Sequence, residues 1–266
     1  MDVGKIKRIN IFEDTVKHFE DEKIKESLKY SKENSKLIKE DINLDIESKK
    51  SGNIIVLNTR TFEAAKKYEN VAILNFASAT NPGGGVKTGS NAQEECLCRC
   101  STLYPCLNQK KFWDEYYNFH RDKKNTFYTN RIIYSPNILV FKKDILEPTF
   151  MEEKDWYNVN VITSPAPNLR NEKRVDYNDL LLIFKSRIRQ ILKVAIMNNN
   201  ENIVLGAFGC GAFKNPPFIV SRAFKEVLID EGYNKYFENI IFAIITPNNN
   251  TENFDTFYRT FKTYLK

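Results

Sequence analysis

Hydrophobic positions along the chain fall into short runs that alternate with longer stretches of mixed polarity. Six of these runs are rich in β-branched residues and lack a regular polar/apolar alternation, which is typical of strands covered on both faces of a sheet. They are NIIVLN (53–58), VAILNFA (71–77), RIIYSPNILVFK (131–142), VNVITSP (159–165), NIVLGAF (202–208) and NIIFAIITP (239–247). The pattern predicts six strands in a largely buried sheet.

Between these strands, apolar residues recur at the spacing of an amphipathic helix. The helical segments lie near residues 61–69, 93–104, 177–198, 216–231 and 251–265. Alternation of strands with helices is typical of an α/β protein, so we predict a three-layer α/β/α domain over residues 51–266.

Residues 1–50 have a different composition from the rest of the chain. They are rich in Lys and Glu, and their apolar residues stand at roughly helical spacing: Phe12, Val16, Phe19, Ile24 and Leu28. We expect one or two amphipathic helices that pack on the main domain. The simplest interpretation of this segment is a helical N-terminal extension without a direct catalytic role.

Composition and charge limit the class of protein. The hydrophobic content of 42% is that of a globular protein, and 40 basic against 34 acidic residues give a net charge of +6. This mild excess suits an anionic ligand but is too diffuse to indicate sequence-specific nucleic-acid binding. No apolar run approaches the roughly 20 residues of a membrane span, and the charged N-terminal stretch lacks a signal peptide's apolar core. We therefore expect an intracellular, cytoplasmic protein that does not bind membranes.

Cysteine and histidine residues give no indication of a metal centre. Four of the five cysteines lie between Cys96 and Cys106, and their spacing matches no common zinc pattern. The two histidines, His18 and His120, lie outside the glycine-rich loops, which argues against a Ser-His or Cys-His nucleophile. We expect neither a metal nor a cofactor.

One glycine-rich loop follows the second predicted strand and has the sequence NPGGGVKTGSNAQEE (81–95). Gly83, Gly84 and Gly85 can adopt positive φ and allow the backbone to approach a ligand closely. Gln93, Glu94 and Glu95 then begin a predicted helix, whose N-terminal amides favour negative charge.

A second glycine-rich loop, GAFGCGAFKNPP (206–217), joins a predicted strand to a helix that begins with prolines. Gly206, Gly209 and Gly211 would expose several amides as a candidate cradle for a diphosphate, and the candidate binding residues of this loop are Gly209, Cys210, Gly211, Ala212 and Phe213. The loop matches neither the G-x-G-x-x-G fingerprint nor a P-loop.

The two loops together resemble the signature of the bacterial-type poly(ADP-ribose) glycohydrolases, a branch of the macrodomain superfamily. The shared pattern is three glycines, seven residues and then Gln-Glu-Glu, followed later by GCGAFKNPP. VLNTRTFEAA (56–65) and RCSTLYP (99–105) resemble further landmarks of that family. The resemblance runs from about Asn53 to the C-terminus and implies a macrodomain-like fold with a mixed sheet.

The resemblance also implies roles for individual residues. Glu95 corresponds to the family's catalytic acid, Glu94 to a residue that hydrogen-bonds ribose hydroxyls, and Gln93 to one that braces the loop. The glycines at 83–85 would approach the distal ribose and phosphate.

In the second loop, the resemblance places Phe213 against the terminal ribose and the neighbouring amides on the diphosphate. An asparagine before the triple glycine contacts ribose in related enzymes. Asn81 is the nearest candidate for that role, and Asn75 and Ser78 are alternatives.

The resemblance implies a glycosidase that hydrolyses ribose–ribose O-glycosidic bonds. Its substrate would be poly(ADP-ribose) or an ADP-ribosylated protein, and its product ADP-ribose. Neighbouring helix residues point about 100° apart, so Glu94 and Glu95 cannot bracket one bond, and one carboxyl must act first as acid and then as base. Two alternatives remain open: a mono-ADP-ribosyl hydrolase acting on a modified side chain or nucleic acid, and a non-catalytic ADP-ribose-binding module.

Overall fold

The fold is described from a computed structural model, for residues 3–44, 47 and 49–265. Within this part of the chain, seven strands form one sheet in the order β1-β4-β5-β3-β6-β7-β2. The strands are β1 (Lys36–Ile38), β2 (Asn53–Leu57), β3 (Val71–Phe76), β4 (Ile132–Val140), β5 (Tyr157–Ser164), β6 (Asn202–Leu205) and β7 (Asn239–Ala243).

The sheet is mixed. Strand β4 is antiparallel to both β1 and β5. The pairs β2–β7, β7–β6 and β6–β3 are parallel. The β4–β5 register shifts between Ser135 and Ile138, and Asn137 within this bulge has a positive φ of 54°. All six predicted strands are present, and the predicted α/β class with a mixed sheet is confirmed.

Helices occupy all five segments in which the hydrophobic pattern predicts them. Residues 93–104 contain parts of two helices rather than one. The helices of the described residues are α1 (Val3–Lys17), α2 (Glu22–Asn34), α3 (Thr61–Ala65), α4 (Gln93–Cys100), α5 (Leu103–Leu107), α6 (Lys110–Phe112), α7 (Asn118–Lys123), α8 (Tyr177–Met197), α9 (Pro217–Lys225) and α10 (Glu252–Phe261). None of them is long and apolar enough to cross a membrane.

The chain divides into two compact units, and the division falls inside β3, between Leu74 and Asn75. The first unit comprises the chain up to Ile38 together with Asn75–Asn125 and Arg131–Pro165. Its core includes Phe19 and Ile24 of the N-terminal segment, which pack against Leu139 and Phe141.

The second unit comprises Lys39–Leu74, Thr126–Asn130 and the chain from Ala166 onward. It contains the parallel strands β2, β6 and β7. Its core includes an aromatic cluster in which Phe242 of β7 stacks on Phe261 of α10 at 4.7 Å between ring centroids. Phe224 and Phe257 complete this cluster.

The predicted extension, residues 1–50, contains α1 and α2 and also β1, which the sequence does not predict. Strand β1 pairs with β4, with Lys36 opposite Tyr134. Its three residues, Lys-Leu-Ile, are too short to show a periodicity. Residues 1, 2, 45, 46 and 48 of this segment, and residue 266 of the predicted catalytic domain, lie outside the described residues.

Candidate active site

The first glycine-rich loop begins with a tight turn after β3. The amide of Gly84 donates to the carbonyl of Asn81 at 3.1 Å, with Pro82 and Gly83 as the central residues. Gly83 has φ of +67°. Proline followed by a positive-φ glycine is the sequence signature of a type II turn, so the local sequence accounts for this conformation.

Glu95 is the third residue of α4 and is held at both carboxylate oxygens. Its Oε1 accepts from the amide of Gly85 at 2.9 Å, and its Oε2 accepts from the amide of Ala92 at 2.8 Å. The second contact is the reach-back of a third-position glutamate to the residue that caps its own helix. The side chain is only 6% exposed, so its position is fixed by contacts from both ends of the loop.

Glu94 has a separate set of donors. Its Oε2 accepts from the amide of Ser78 at 2.7 Å, and its Oε1 accepts from the side-chain amide of Asn75 at 3.3 Å. Asn75 also donates to Thr163 Oγ1 at 3.2 Å, which ties the glutamate to β5. Glu94 is 2% exposed, so two adjacent carboxyl groups are buried at the start of one helix.

Burial changes the protonation of Glu94. Desolvation, opposed by the Ser78 amide and aided by the charge of Glu95, raises the pKa of Glu94 from 4.5 to about 8. The Asn75 amide also favours the ionised form but does not offset the loss of hydration. Glu94 is therefore mainly a neutral carboxylic acid near pH 7.

This pKa predicts a specific pH dependence of stability. Between pH 4.5 and 8 the native protein retains the Glu94 proton that the unfolded chain has released, so the free energy of unfolding falls as pH rises through this range. At about 1.4 kcal/mol per pKa unit, the decline is on the order of a few kcal/mol. Urea unfolding of the wild type and Glu94→Gln from pH 5 to 9 measures it. The variant should lack this decline, and identical slopes in the two proteins would contradict the assignment.

The triple glycine lies directly against the two glutamates. A Cβ added at Gly84, where φ is +59°, would stand 2.4 Å from Glu95 Oε1 and 3.1 Å from Glu94 Oε2. A Cβ at Gly83 would meet the Tyr104 ring at 2.8 Å, and one at Gly85 would meet Ser90 Oγ at 2.2 Å. The packing of the loop on α4 therefore requires glycine at position 84, whereas Tyr104 of α5 and Ser90 of the loop limit the space at positions 83 and 85.

Gln93, Asn81 and the two alternatives to Asn81, Asn75 and Ser78, make different contacts in the structure. Gln93 Oε1 accepts from the amide of Phe76 at 2.9 Å, so Gln93 braces the end of β3. Asn75 and Ser78 contact Glu94, as described above. Asn81 is exposed, and its Oδ1 accepts from Arg121 at 2.6 Å. The structure therefore brings Asn75 and Ser78, rather than Asn81, to the glutamates.

In the second unit, the loop 206–217 is held by Asn215. The buried side chain of Asn215 donates to the carbonyls of Pro167 and Gly209 at 2.7 and 3.0 Å. Gly209 has φ of +76°, and a Cβ there would lie 2.5 Å from Ala166 Cβ. In the described stretch 209–213, every amide except that of Cys210 lacks a hydrogen-bond acceptor: Gly209, Gly211, Ala212 and Phe213. These amides leave the loop with donor groups for an anion.

Phe213 and Cys210 differ in their surroundings within this loop. The Phe213 ring is half-buried, with the Arg170 guanidinium 5.3 Å from its centroid and the Tyr128 ring 6.5 Å away. Burial raises the pKa of the Cys210 thiol, which therefore stays protonated. The sequence gives no signal for Arg170 or Tyr128, because neither belongs to a motif and only the fold brings them to Phe213.

The first glycine-rich loop and its two glutamates lie within a segment that matches a known protein family. Residues 6–143 match the family model described as microbial-type PARG, catalytic domain. The chain belongs to this family of poly(ADP-ribose) glycohydrolases. The match begins inside α1, whereas the sequence motifs indicate a resemblance only from about Asn53 onward.

Solved structures of bacterial poly(ADP-ribose) glycohydrolases have the same fold. The enzyme from Thermomonospora curvata is 29% identical, with a TM-score of 0.84 over 96% of this chain and 99% of that one. Its complex with the inhibitor ADP-HPD gives a TM-score of 0.82 at 29% identity, over 95% and 98% of the two chains. The Deinococcus radiodurans enzyme in complex with ADP-ribose is 31% identical, with a TM-score of 0.76 over 89% and 97%. A search among curated proteins finds no match.

These matches confirm the predicted glycohydrolase family and macrodomain-like fold. Within the described part of this glycohydrolase, no group of three or more His, Cys, Asp or Glu side chains is arranged to hold a metal ion. Cys96, Cys98, Cys100 and Cys106 are buried and form no disulfide bond among the described residues. The first glycine-rich loop presents two buried carboxyl groups, Glu94 and Glu95, together with the backbone amides that donate to them.

Proposed function

We propose that the chain hydrolyses the ribose–ribose O-glycosidic bonds of poly(ADP-ribose) and releases ADP-ribose, with Glu95 as the general acid and base. The observation that carries this proposal is the fixed, buried carboxyl group of Glu95 on the first turn of α4, between the amides of Gly85 and Ala92. Membership of the poly(ADP-ribose) glycohydrolase family supports it. The substrate is the polymer, free or attached to an ADP-ribosylated protein.

The separate donor sets of the two glutamates favour a mechanism with a single working carboxyl. Most glycosidases place two carboxyl groups on either side of the bond. Here Glu94 and Glu95 are consecutive residues of one helix, so a single bond cannot lie between them. Glu95 protonates the departing ribose oxygen and then accepts a proton from the water that attacks the oxocarbenium-like sugar.

Glu94 supports this step by remaining neutral. As a protonated acid near pH 7, it can donate a hydrogen bond to a ribose hydroxyl. Asn75 and Ser78 keep its carboxyl group in place. In this assignment Gln93 and the glycines at 83–85 shape the site, and Glu95 performs the proton transfers.

The loop 206–217 is assigned to the diphosphate of an ADP-ribose group. Four amides of its stretch 209–213 have no acceptor among the described residues, and phosphate oxygens are strong acceptors. Phe213, in contact with the Arg170 side chain, provides an apolar face for the terminal ribose. We assign Asn81 a polar contact to substrate, with Asn75 and Ser78 as the alternatives that contact Glu94. We assign residues 51–266 to the catalytic domain and residues 1–50 to an extension of it.

Digestion of labelled substrates tests the proposed function. The wild type should release free ADP-ribose from purified poly(ADP-ribose), and a chelator should not alter the rate, because the carboxyl mechanism needs no metal. Cleavage confined to proteins or nucleic acids that carry single ADP-ribose groups would instead identify a mono-ADP-ribosyl hydrolase. Tight binding of ADP-ribose without turnover of any substrate would identify a binding module and contradict the enzymatic assignment.

A further inference from the structure

Helix α1 packs directly on the loop that carries the donors to Glu95. Arg8 donates through Nε to the carbonyl of Gly89 at 2.7 Å. Gly89 has φ of +75°, and a Cβ there would stand 2.5 Å from the carbonyl oxygen of Lys5 and 3.2 Å from Ile9 Cγ1. The backbone of the turn and that of the helix are thus in close contact, with no room for a side chain at position 89.

A second contact joins α1 to α4. The buried hydroxyl of Thr15 donates to the carbonyl of Arg99 at 2.6 Å. Thr15 is held in place by Lys142, whose buried ammonium group lies 2.8 Å from Thr15 Oγ1 and 2.7 Å from Asp14 Oδ2. The Arg99 side chain in turn donates to the carbonyl of Ser90 at 2.8 Å, inside the same loop.

A third contact reaches the turn at the start of the loop. The ring of Phe12 meets Tyr104 edge to face at 5.1 Å between centroids. Tyr104 packs against Gly83, since a Cβ added at Gly83 would be 2.8 Å from the Tyr104 ring. Helix α1 therefore supports the loop at Gly83 through Tyr104, at Gly89 through Arg8 and at Ser90 through Arg99.

Two of these contacts, at Gly89 and Ser90, fall between the two amides that donate to Glu95, at Gly85 and Ala92, and the third lies two residues before Gly85. We propose that α1 is a positioning element of the catalytic site and that Arg8 is a positioning residue that fixes this loop on Glu95. The proposal deepens the function assigned above and rests on it. It replaces the simplest interpretation of the N-terminal segment, a helical extension that only covers the domain.

The expected consequence is a loss of rate, with substrate affinity largely retained. A misplacement of catalytic groups by about 1 Å can lower a rate by about 10²-fold, and hydrogen-bonded groups must be held within about 0.5 Å. Removing Arg8 releases one of three supports, so we expect Arg8→Ala to lower kcat on poly(ADP-ribose) by roughly 10-fold with little change in KM.

Lys7→Ala is the matched control. Lys7 is the adjacent residue of α1, and its ammonium group makes a solvent-exposed ion pair with Glu147 at 2.6 Å. This variant should keep the wild-type kcat. Arg8→Lys retains a cationic donor and should lose less activity than Arg8→Ala. It also serves as the test variant should Arg8→Ala fail to fold. Equal kcat values for the wild type, the Arg8 variants and Lys7→Ala would overturn the proposal.

Amide hydrogen exchange separates this proposal from the proposed function. In Arg8→Ala the amides of Gly85 and Ala92 should exchange faster than in the wild type and Lys7→Ala, while amides of β6 should not change. The exchange rates can be measured even if the wild type hydrolyses no polymer. Such a lack of activity would contradict the proposed function but not the positioning role of α1. Unchanged exchange at Gly85 and Ala92 would overturn the positioning role, whatever the activity.

Discussion

Replacement of Glu95 by glutamine is expected to lower kcat for poly(ADP-ribose) hydrolysis by about 10³-fold, within the 10²–10⁴-fold that general acid–base catalysis contributes. Glutamine preserves the size of the side chain but can neither donate nor accept the proton at the departing oxygen. One of the amides, at Gly85 or Ala92, then faces an NH₂ group instead of an acceptor. Initial rates of ADP-ribose release measure the loss, and calorimetric titration with ADP-ribose shows whether binding survives.

Glu94→Gln provides the comparison within the same pair. Glu94 is mainly neutral near pH 7, so a neutral amide replaces it with a smaller electrostatic change. Its side chain can still accept from Ser78. We expect a loss clearly smaller than that of Glu95→Gln. A larger loss in Glu94→Gln than in Glu95→Gln would exchange the two assigned roles and contradict the mechanism.

Substitution of Gly84 by alanine should abolish most of the activity, with a loss of at least about 10²-fold. The added methyl group would stand 2.4 Å from Glu95 Oε1, so the carboxyl group or the loop must move. The positive φ of +59° adds about 1–2 kcal/mol of backbone strain. Steady-state kinetics and thermal unfolding of the variant measure the two effects separately.

Gly232→Ala is the control for backbone strain in this experiment. Gly232 has φ of +78°, and an added Cβ would meet no atom within 4 Å. It should therefore lose stability to a similar degree through φ strain while its kcat stays at the wild-type value. If Gly84→Ala retained as much activity as Gly232→Ala, the loop would not depend on close contact with the glutamates.

The elements of regular structure were predictable because their signals are local. β-branched runs such as residues 71–77 mark buried strands, and the paired prolines at the start of α9 mark a helix start. β1 and α7 lack such signals. β1 has three residues and depends on pairing with β4, and α7 follows a π-helical turn, Trp113–Tyr117, that contains three aromatic residues. The formation of β1 and α7 therefore depends on tertiary contacts.

The candidate site was predictable only in part, because only some of its features have a local signal in the sequence. The spacing of glycines and glutamates indicates that Glu94 and Glu95 begin a helix after a glycine turn. It does not show that Asn75, distant from them in sequence, donates to Glu94, because this contact depends on where β3 ends. The sequence also gives no indication that Glu94 is neutral, since burial is a property of the folded chain.

The interval of seven residues between the third glycine and Gln93 has a physical basis in the hydrogen bonds of Glu95. Both ends of this interval are tied to one carboxyl group, at Oε1 through residue 85 and at Oε2 through residue 92. An insertion or deletion between them would leave one oxygen without its donor. The length of this segment is therefore fixed by the distance that the two oxygens of one carboxyl group can span.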